Sequence, residues 1–218
     1  MTERFLHHLR VELPAADEVA AGARVRLAEK FPRPALRRMT HLGMLVGSVL
    51  EGAQLGADDA LVYATTFAET RAMEDFLASF PAASPMLFQT SIHPGGVQQA
   101  LIGRQQPIGR FWPIASRERI VEHALFAALL ETAPRVALVG GEERGTWMLE
   151  HGLAAARPFA FATVLSPQRS GAVARLAFRL DAADDDSCPS LEAFALALAA
   201  RQPLAWNGAG GHWSLAWL

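Results

Sequence analysis

The chain has 218 residues, enough for one domain or two small ones with a sizeable buried core, and its 51% hydrophobic content excludes a disordered polymer. A formal net charge of −2 excludes binding to nucleic acid or an anionic membrane driven by total charge. The single cysteine, Cys188, excludes an intrachain disulfide and a cysteine-rich metal site.

In chain order, residues 6–13 predict a short strand. Residues 15–29 have helical composition, with Val19, Ala23 and Leu27 near helical spacing. Phe31-Pro32-Arg33-Pro34 is a break, and Pro34 suits the first turn of a helix over residues 35–54. Met39, Leu42, Val46, Val49 and Ala53 form its apolar face, and Gly56 can end it. Residues 60–65 read as a buried strand and residues 69–79 as a helix closed by Phe80-Pro81. Pro94-Gly95-Gly96 opens another helix, to about residue 102. Residues 110–115 predict a strand. Residues 117–131 predict an amphipathic helix with Ile120, Val121, Ala124, Leu125, Ala128 and Leu129 on one face. Residues 135–139 predict a strand ending in a tight turn at Gly140-Gly141. Strand, helix and strand in about 30 residues form a βαβ unit, so residues 110–115 and 135–139 are expected as parallel neighbours with a right-handed crossover. Residues 159–165 and 172–180 predict two more strands, and residues 166–171 have hairpin chemistry. A polar loop over 181–188 and a helix over 191–201 follow, then a tail carrying Trp206, Trp213 and Trp217 among glycines. No repeat and no dividing linker interrupts residues 1–218, which predicts one domain.

Several candidate sites have only a structural reading. Gly140-Gly141-Glu142-Glu143 lacks the ending of a phosphate loop and the spacing of a dinucleotide fingerprint. Asp184-Asp185-Asp186 lacks a cation-ligand spacing, and His7-His8 has no metal partner at a telling distance along the chain. Cys188 has no nearby basic residue to activate it. No cofactor or metal is called for. The first residues have no signal-peptide core, and no uncharged apolar run approaches the roughly 20 residues of a membrane helix. A soluble, cytoplasmic protein without membrane insertion is expected.

One succession carries more. Ser84-Pro85-Met86-Leu87-Phe88-Gln89-Thr90-Ser91-Ile92-His93-Pro94-Gly95-Gly96 is followed by Arg110-Phe111-Trp112-Pro113-Ile114-Ala115-Ser116-Arg117-Glu118, then by Val136-Ala137-Leu138-Val139-Gly140-Gly141-Glu142. From about residue 36 to residue 180 this resembles the first half of a β-ketoacyl synthase of the thiolase type. The resemblance implies an α/β fold: a single thiolase-like half-domain, with a mixed, mostly parallel five-stranded sheet covered by helices. Residues 1–33 stay unassigned. In such synthases a cysteine stands where the strand enters the next helix, since a helix N-terminus favours thiolate and its N–H groups can hold an oxyanion. Counting back from Gly140-Gly141 puts Ala115 there, so the nucleophile is lost. The second half-domain, which supplies histidines and a lysine, is not expected in a chain of this length.

The kind implied is the short ketosynthase-like subunit called a chain length factor, of aryl polyene and related pigment pathways in fatty acid and polyketide-type biosynthesis. It would pair with a catalytic β-ketoacyl synthase as a heterodimer, complete the acyl tunnel and limit chain length. Acyl carrier protein would dock chiefly on the catalytic partner. Phe111 and Trp112, on the strand that pairs across thiolase-type dimers, would be interface residues, and His93 could hydrogen-bond across the interface or satisfy its own loop. Pro113 sits awkwardly in a central strand because it lacks a ladder donor. Two alternatives stay open. Ser116, read first as the cap of a helix starting at Arg117, could instead be the nucleophile of a small acyltransferase or thioesterase with His93 as base. A homodimeric acyl-binding protein is the other.

Overall fold

Unbroken apolar runs become strands covered on both faces, because a charge on either side would meet protein instead of water. The computed structural model describes residues 2–180 and 187–218. The chain runs β1 (Thr2–Glu12), α1 (Ala20–Arg26), α2 (Arg33–Leu36), α3 (His41–Val49), β2 (Ala60–Thr65), α4 (Thr70–Ala78), α5 (Pro85–Ser91), α6 (Gly95–Gly103), β3 (Arg110–Ala115), α7 (Ile120–Leu130), β4 (Val136–Glu142), α8 (Thr146–Glu150), β5 (Phe159–Ser166), β6 (Ala174–Leu180), α9 (Leu191–Ala199), β7 (Leu204–Gly208) and β8 (Gly211–Trp217). The predicted loop over 181–188, with its acids Asp184, Asp185 and Asp186, lies for residues 181–186 outside the described residues.

The strands form one sheet in the order β3-β2-β4-β5-β1-β6-β8-β7. Among the described residues only β2–β3 and β2–β4 pair in parallel; the other pairings there are antiparallel. This corrects the expected five-stranded, mostly parallel sheet. The glycine-rich tail adds β7 and β8, joined through Ala209 and Gly210, whose φ of +75° suits a tight hairpin.

Two neighbour expectations also fail. β3 and β4 are parallel but not adjacent, because β2 lies between them and pairs with both. Six buried residues in β2 need protein on every side, and sequence periodicity carries no lateral order. β5 and β6 do not form a hairpin: β1 lies between them, with Ser166 opposite Phe5 and Ala174 opposite Leu6. The predicted turn at Gly140-Gly141 is strand. Gly141 pairs with Ala160 and Glu142 with Phe159.

Alternation sorts the side chains. Val62, Leu138, Phe161 and Leu165 face α7 and α9, joined by Trp206 and Trp213. Leu61, Tyr63, Val139, Ala162 and Val164 face α3 and α6. The predicted 35–54 helix is split into α2 and α3, with Thr40 capping α3 by accepting from Gly43 N at 3.0 Å. α5 was not foreseen, though its signal was present: Ser84 Oγ accepts from Leu87 N at 3.4 Å and Pro85 opens the helix.

Candidate functional site

β3 is an edge strand. Arg110 N and Ser116 N donate to Asp59 O (3.4 Å) and Thr65 O (3.3 Å) of the β2 side. Alternation then turns the backbone groups of Arg110, Trp112 and Ile114 toward β2 and those of Phe111, Pro113 and Ala115 toward open space. Pro113 is therefore tolerated, since its missing N–H belongs to the free edge. Phe111 packs against the α3/α6 core, while Trp112 lies on the opposite face, 49% exposed. Trp112 Nε1 donates to Glu131 Oε2 at 2.8 Å, and Arg110 pairs with Glu131 Oε1. Burial raises the Glu131 pKa, but Trp112, the Ala133 and Thr132 N–H groups and Arg110 outweigh it and hold the carboxyl at about 2.

Ala115 ends β3, exposed, and α7 begins only at Ile120, after Arg119 in the left-handed region at φ +53°. The expected strand-to-helix step at Ala115 is thus a four-residue loop. Ser116 does not cap the helix: its hydroxyl donates to Glu118 O at 2.7 Å. His93 lies between α5 and α6. Its ring stacks on Tyr63, centroids 5.1 Å apart, and Nδ1 is 3.4 Å from Glu69 Oε2. Neither ring nitrogen makes a hydrogen bond, so His93 is joined neither to Ser116 nor to its own loop. His7 and His8 have structural partners, Ser166 Oγ at 2.9 Å and Val49 O at 3.2 Å.

Sequence reasoning missed the buried carboxylates at the C-terminal ends of β2 and β4. Glu142 accepts from Thr65 Oγ1 at 3.1 Å and from Thr66 N. Glu143 accepts from Leu42 N (3.3 Å) and Arg71 N (3.0 Å), tying the first turns of α3 and α4 to the end of β4. Glu69 accepts from Gly96 N at 2.8 Å, in the first turn of α6. Burial pushes Glu142 and Glu143 up to about 7 despite these bonds. Burial, and then the nearby charges of Glu69, Glu142 and Glu143, raise Tyr63. The one available signal was a pair of glutamates directly after an apolar strand.

The sign of the Glu142 effect is definite. Its folded pKa, about 7, exceeds the ordinary 4.5, so the folded state holds the extra proton between those values. The stability this contributes is complete below about 4.5 and is lost as pH rises through about 7. Glu142→Gln keeps the acceptor and removes the charge. Its melting temperature is expected to gain on the wild type as pH rises from about 5 to about 8, by the equivalent of roughly 2 kcal/mol. Parallel curves for the two proteins would refute this.

A cleft of about 290 Å³ opens beside these groups, lined by Thr66, Phe67, Arg117, Glu142, Ser190 and Glu192. Among the described residues no group of three His, Cys, Asp or Glu is placed to hold a metal ion. Among them, too, no helix is long and apolar enough to cross a membrane.

No family model matches the chain, and no curated protein matches it. Solved structures do. The chain is similar to one in the structure of a ketosynthase (ApeO) in complex with its chain length factor (ApeC) from Xenorhabdus doucetiae: 17% identity, TM-score 0.70, covering 99% of this chain and 99% of that one. It is also similar to a chain in the ishigamide ketosynthase/chain length factor structure: 14% identity, TM-score 0.56, covering 85% of this chain and 69% of that one. At these identities the likeness is one of fold. That fold is thiolase-like α/β, and in the first case it extends from end to end of both chains, the added strands included.

Proposed function

We propose that this protein is a non-catalytic, chain length factor-like subunit that pairs with a catalytic β-ketoacyl synthase in fatty acid or polyketide-type biosynthesis of the aryl polyene kind. The observation that carries the reading is the end-to-end match in fold, at nearly equal length, to a chain of a ketosynthase–chain length factor complex. The chemistry of β3 supports it. Acyl transfer needs a nucleophile with a base beside it. Ala115 offers only a methyl group, the Ser116 hydroxyl is engaged by Glu118 O, and His93 is stacked on Tyr63. Such a subunit acts by contact: it would supply part of the wall of the acyl site at a shared interface, with His93, Phe111 and Trp112 near that interface. Acyl carrier protein would dock chiefly on the partner, in the cytoplasm.

Co-expression with a ketosynthase encoded beside it should give a co-purifying complex that elongates carrier-bound acyl chains. Neither protein alone should do so. Intact-mass analysis should place the acyl adduct on the ketosynthase only. An acyl adduct on this chain, lost in Ser116→Ala, would overturn the reading in favour of an enzyme.

A further inference from the structure

Free strand edges in soluble proteins are commonly protected by charge, proline or a bulge. On β3, Phe111-Trp112-Pro113-Ile114-Ala115 carries no charge at all, and its outward backbone groups belong to Phe111, Pro113 and Ala115. Within that stretch the protective element is Pro113, at the centre; Arg110, the charge on β3, is turned to Glu131. We infer that this edge selects against a second copy of its own chain and accepts an antiparallel strand from a different protein. This rests on the pairing with a ketosynthase proposed above, and it names what makes that pairing hetero-selective.

The hydrogen-bond inventory supplies the reason. In an antiparallel ladder, two opposed residues that face each other exchange two bonds, each giving one N–H and accepting one. Two copies of β3 centred on Pro113 would set two prolines opposite each other. Both carbonyls would then face inward without a donor. Sliding the copies by two residues sets Pro113 against Phe111, and each copy still lacks one bond. Every self-paired register that includes Pro113 thus leaves two acceptors stranded. A different strand with an ordinary residue opposite Pro113 donates to its carbonyl, and only one acceptor is left. A stranded acceptor inside an interface is costly, because it has given up water for nothing.

The side chains beside this edge are already set for a partner. Trp112 and Arg110 are held in place by Glu131, so little rotamer freedom remains to be lost on association. Next to them Ala127, Leu130 and Thr132 complete a hollow of about 360 Å³, with Leu130 79% exposed. The occupant that fits is an uncharged edge strand of the ketosynthase, with a residue other than proline opposite Pro113 and an apolar side chain over Trp112.

Sedimentation equilibrium of the purified chain, without any partner, tests this. Pro113→Val restores an outward N–H at an exposed position and should tighten self-association at least about tenfold over the wild type. Pro113→Ala serves if the valine variant folds poorly. Ala115→Pro, added to either, removes the neighbouring outward donor and should reverse the gain. Unchanged self-association in Pro113→Val and Pro113→Ala would overturn the inference, as would a gain that survives Ala115→Pro, since association would then use another surface. A tight wild-type dimer crosslinked through β3 would overturn it too. Failure of the ketosynthase to bind would instead remove the functional reading, while the self-association comparison would still report on the edge.

Discussion

Trp213→Ala is expected to cost about 5 kcal/mol of stability, which for a chain of this size lowers the melting temperature by roughly 10–20 °C. Trp213 is fully buried and sits at the centre of an aromatic group. Its ring lies 5.8 Å from Trp206, almost parallel, and 4.8 Å and 4.7 Å from Phe126 and Phe178. Removing it leaves a large cavity. It also leaves Glu122 Oε1 without its donor, because Trp213 Nε1 donates to it at 3.1 Å in a site where Glu122 is 1% exposed. The two effects separate by substitution. Trp213→Phe keeps much of the packing and loses the donor, so its loss should shrink when Glu122→Gln is added. Thermal unfolding of the four proteins measures this directly. Equal losses for Trp213→Phe with and without Glu122→Gln would mean that a carboxyl acceptor gains nothing over an amide one in this hydrogen bond.

Gly140→Ala is the second large effect, expected at about 2–3 kcal/mol. A Cβ at Gly140 would come within 2.5 Å of the Phe161 ring, and Phe161 is fixed, 1% exposed and edge-on to Phe194 at 5.5 Å. β4 is an interior strand paired on both sides, so its backbone has no room to retreat. A smaller side chain across the ladder should relieve the clash. The double variant Gly140→Ala, Phe161→Leu should be more stable than the sum of the single losses predicts, by about 1 kcal/mol or more. Simple additivity in denaturant unfolding would refute the steric argument.

These two positions also mark where sequence reasoning succeeded and failed. The strands at 60–65, 110–115 and 159–165 were legible because apolar content and length fix them locally. Gly140 was misread as a turn because glycine signals both a turn and a close approach, and only Phe161 in the neighbouring strand tells them apart. The tail tryptophans gave no strand on their own; their alternation has meaning only once β6 lies beside β8. The lateral order of the sheet was out of reach, since β2 enters between β3 and β4, and β1 between β5 and β6, through contacts among distant segments. At the site, Ala115 was legible as a residue without a nucleophile. The network of Glu69, Glu142 and Glu143 was not, because Glu69 and Glu143 answer to helix termini, and Glu142 to the end of β2, far away in sequence.

β1 has a consequence for how the protein is made in the cell. It is synthesised well before its ladder partners, which lie between residues 160 and 178. At a synthesis rate of roughly 5–20 residues per second, the N-terminal segment waits about ten to thirty seconds with an unsatisfied backbone. Phe5, Leu6, Leu9 and Val11 stay uncovered during that time, a natural target for a chaperone, and slowing translation before residue 159 should lower the soluble yield.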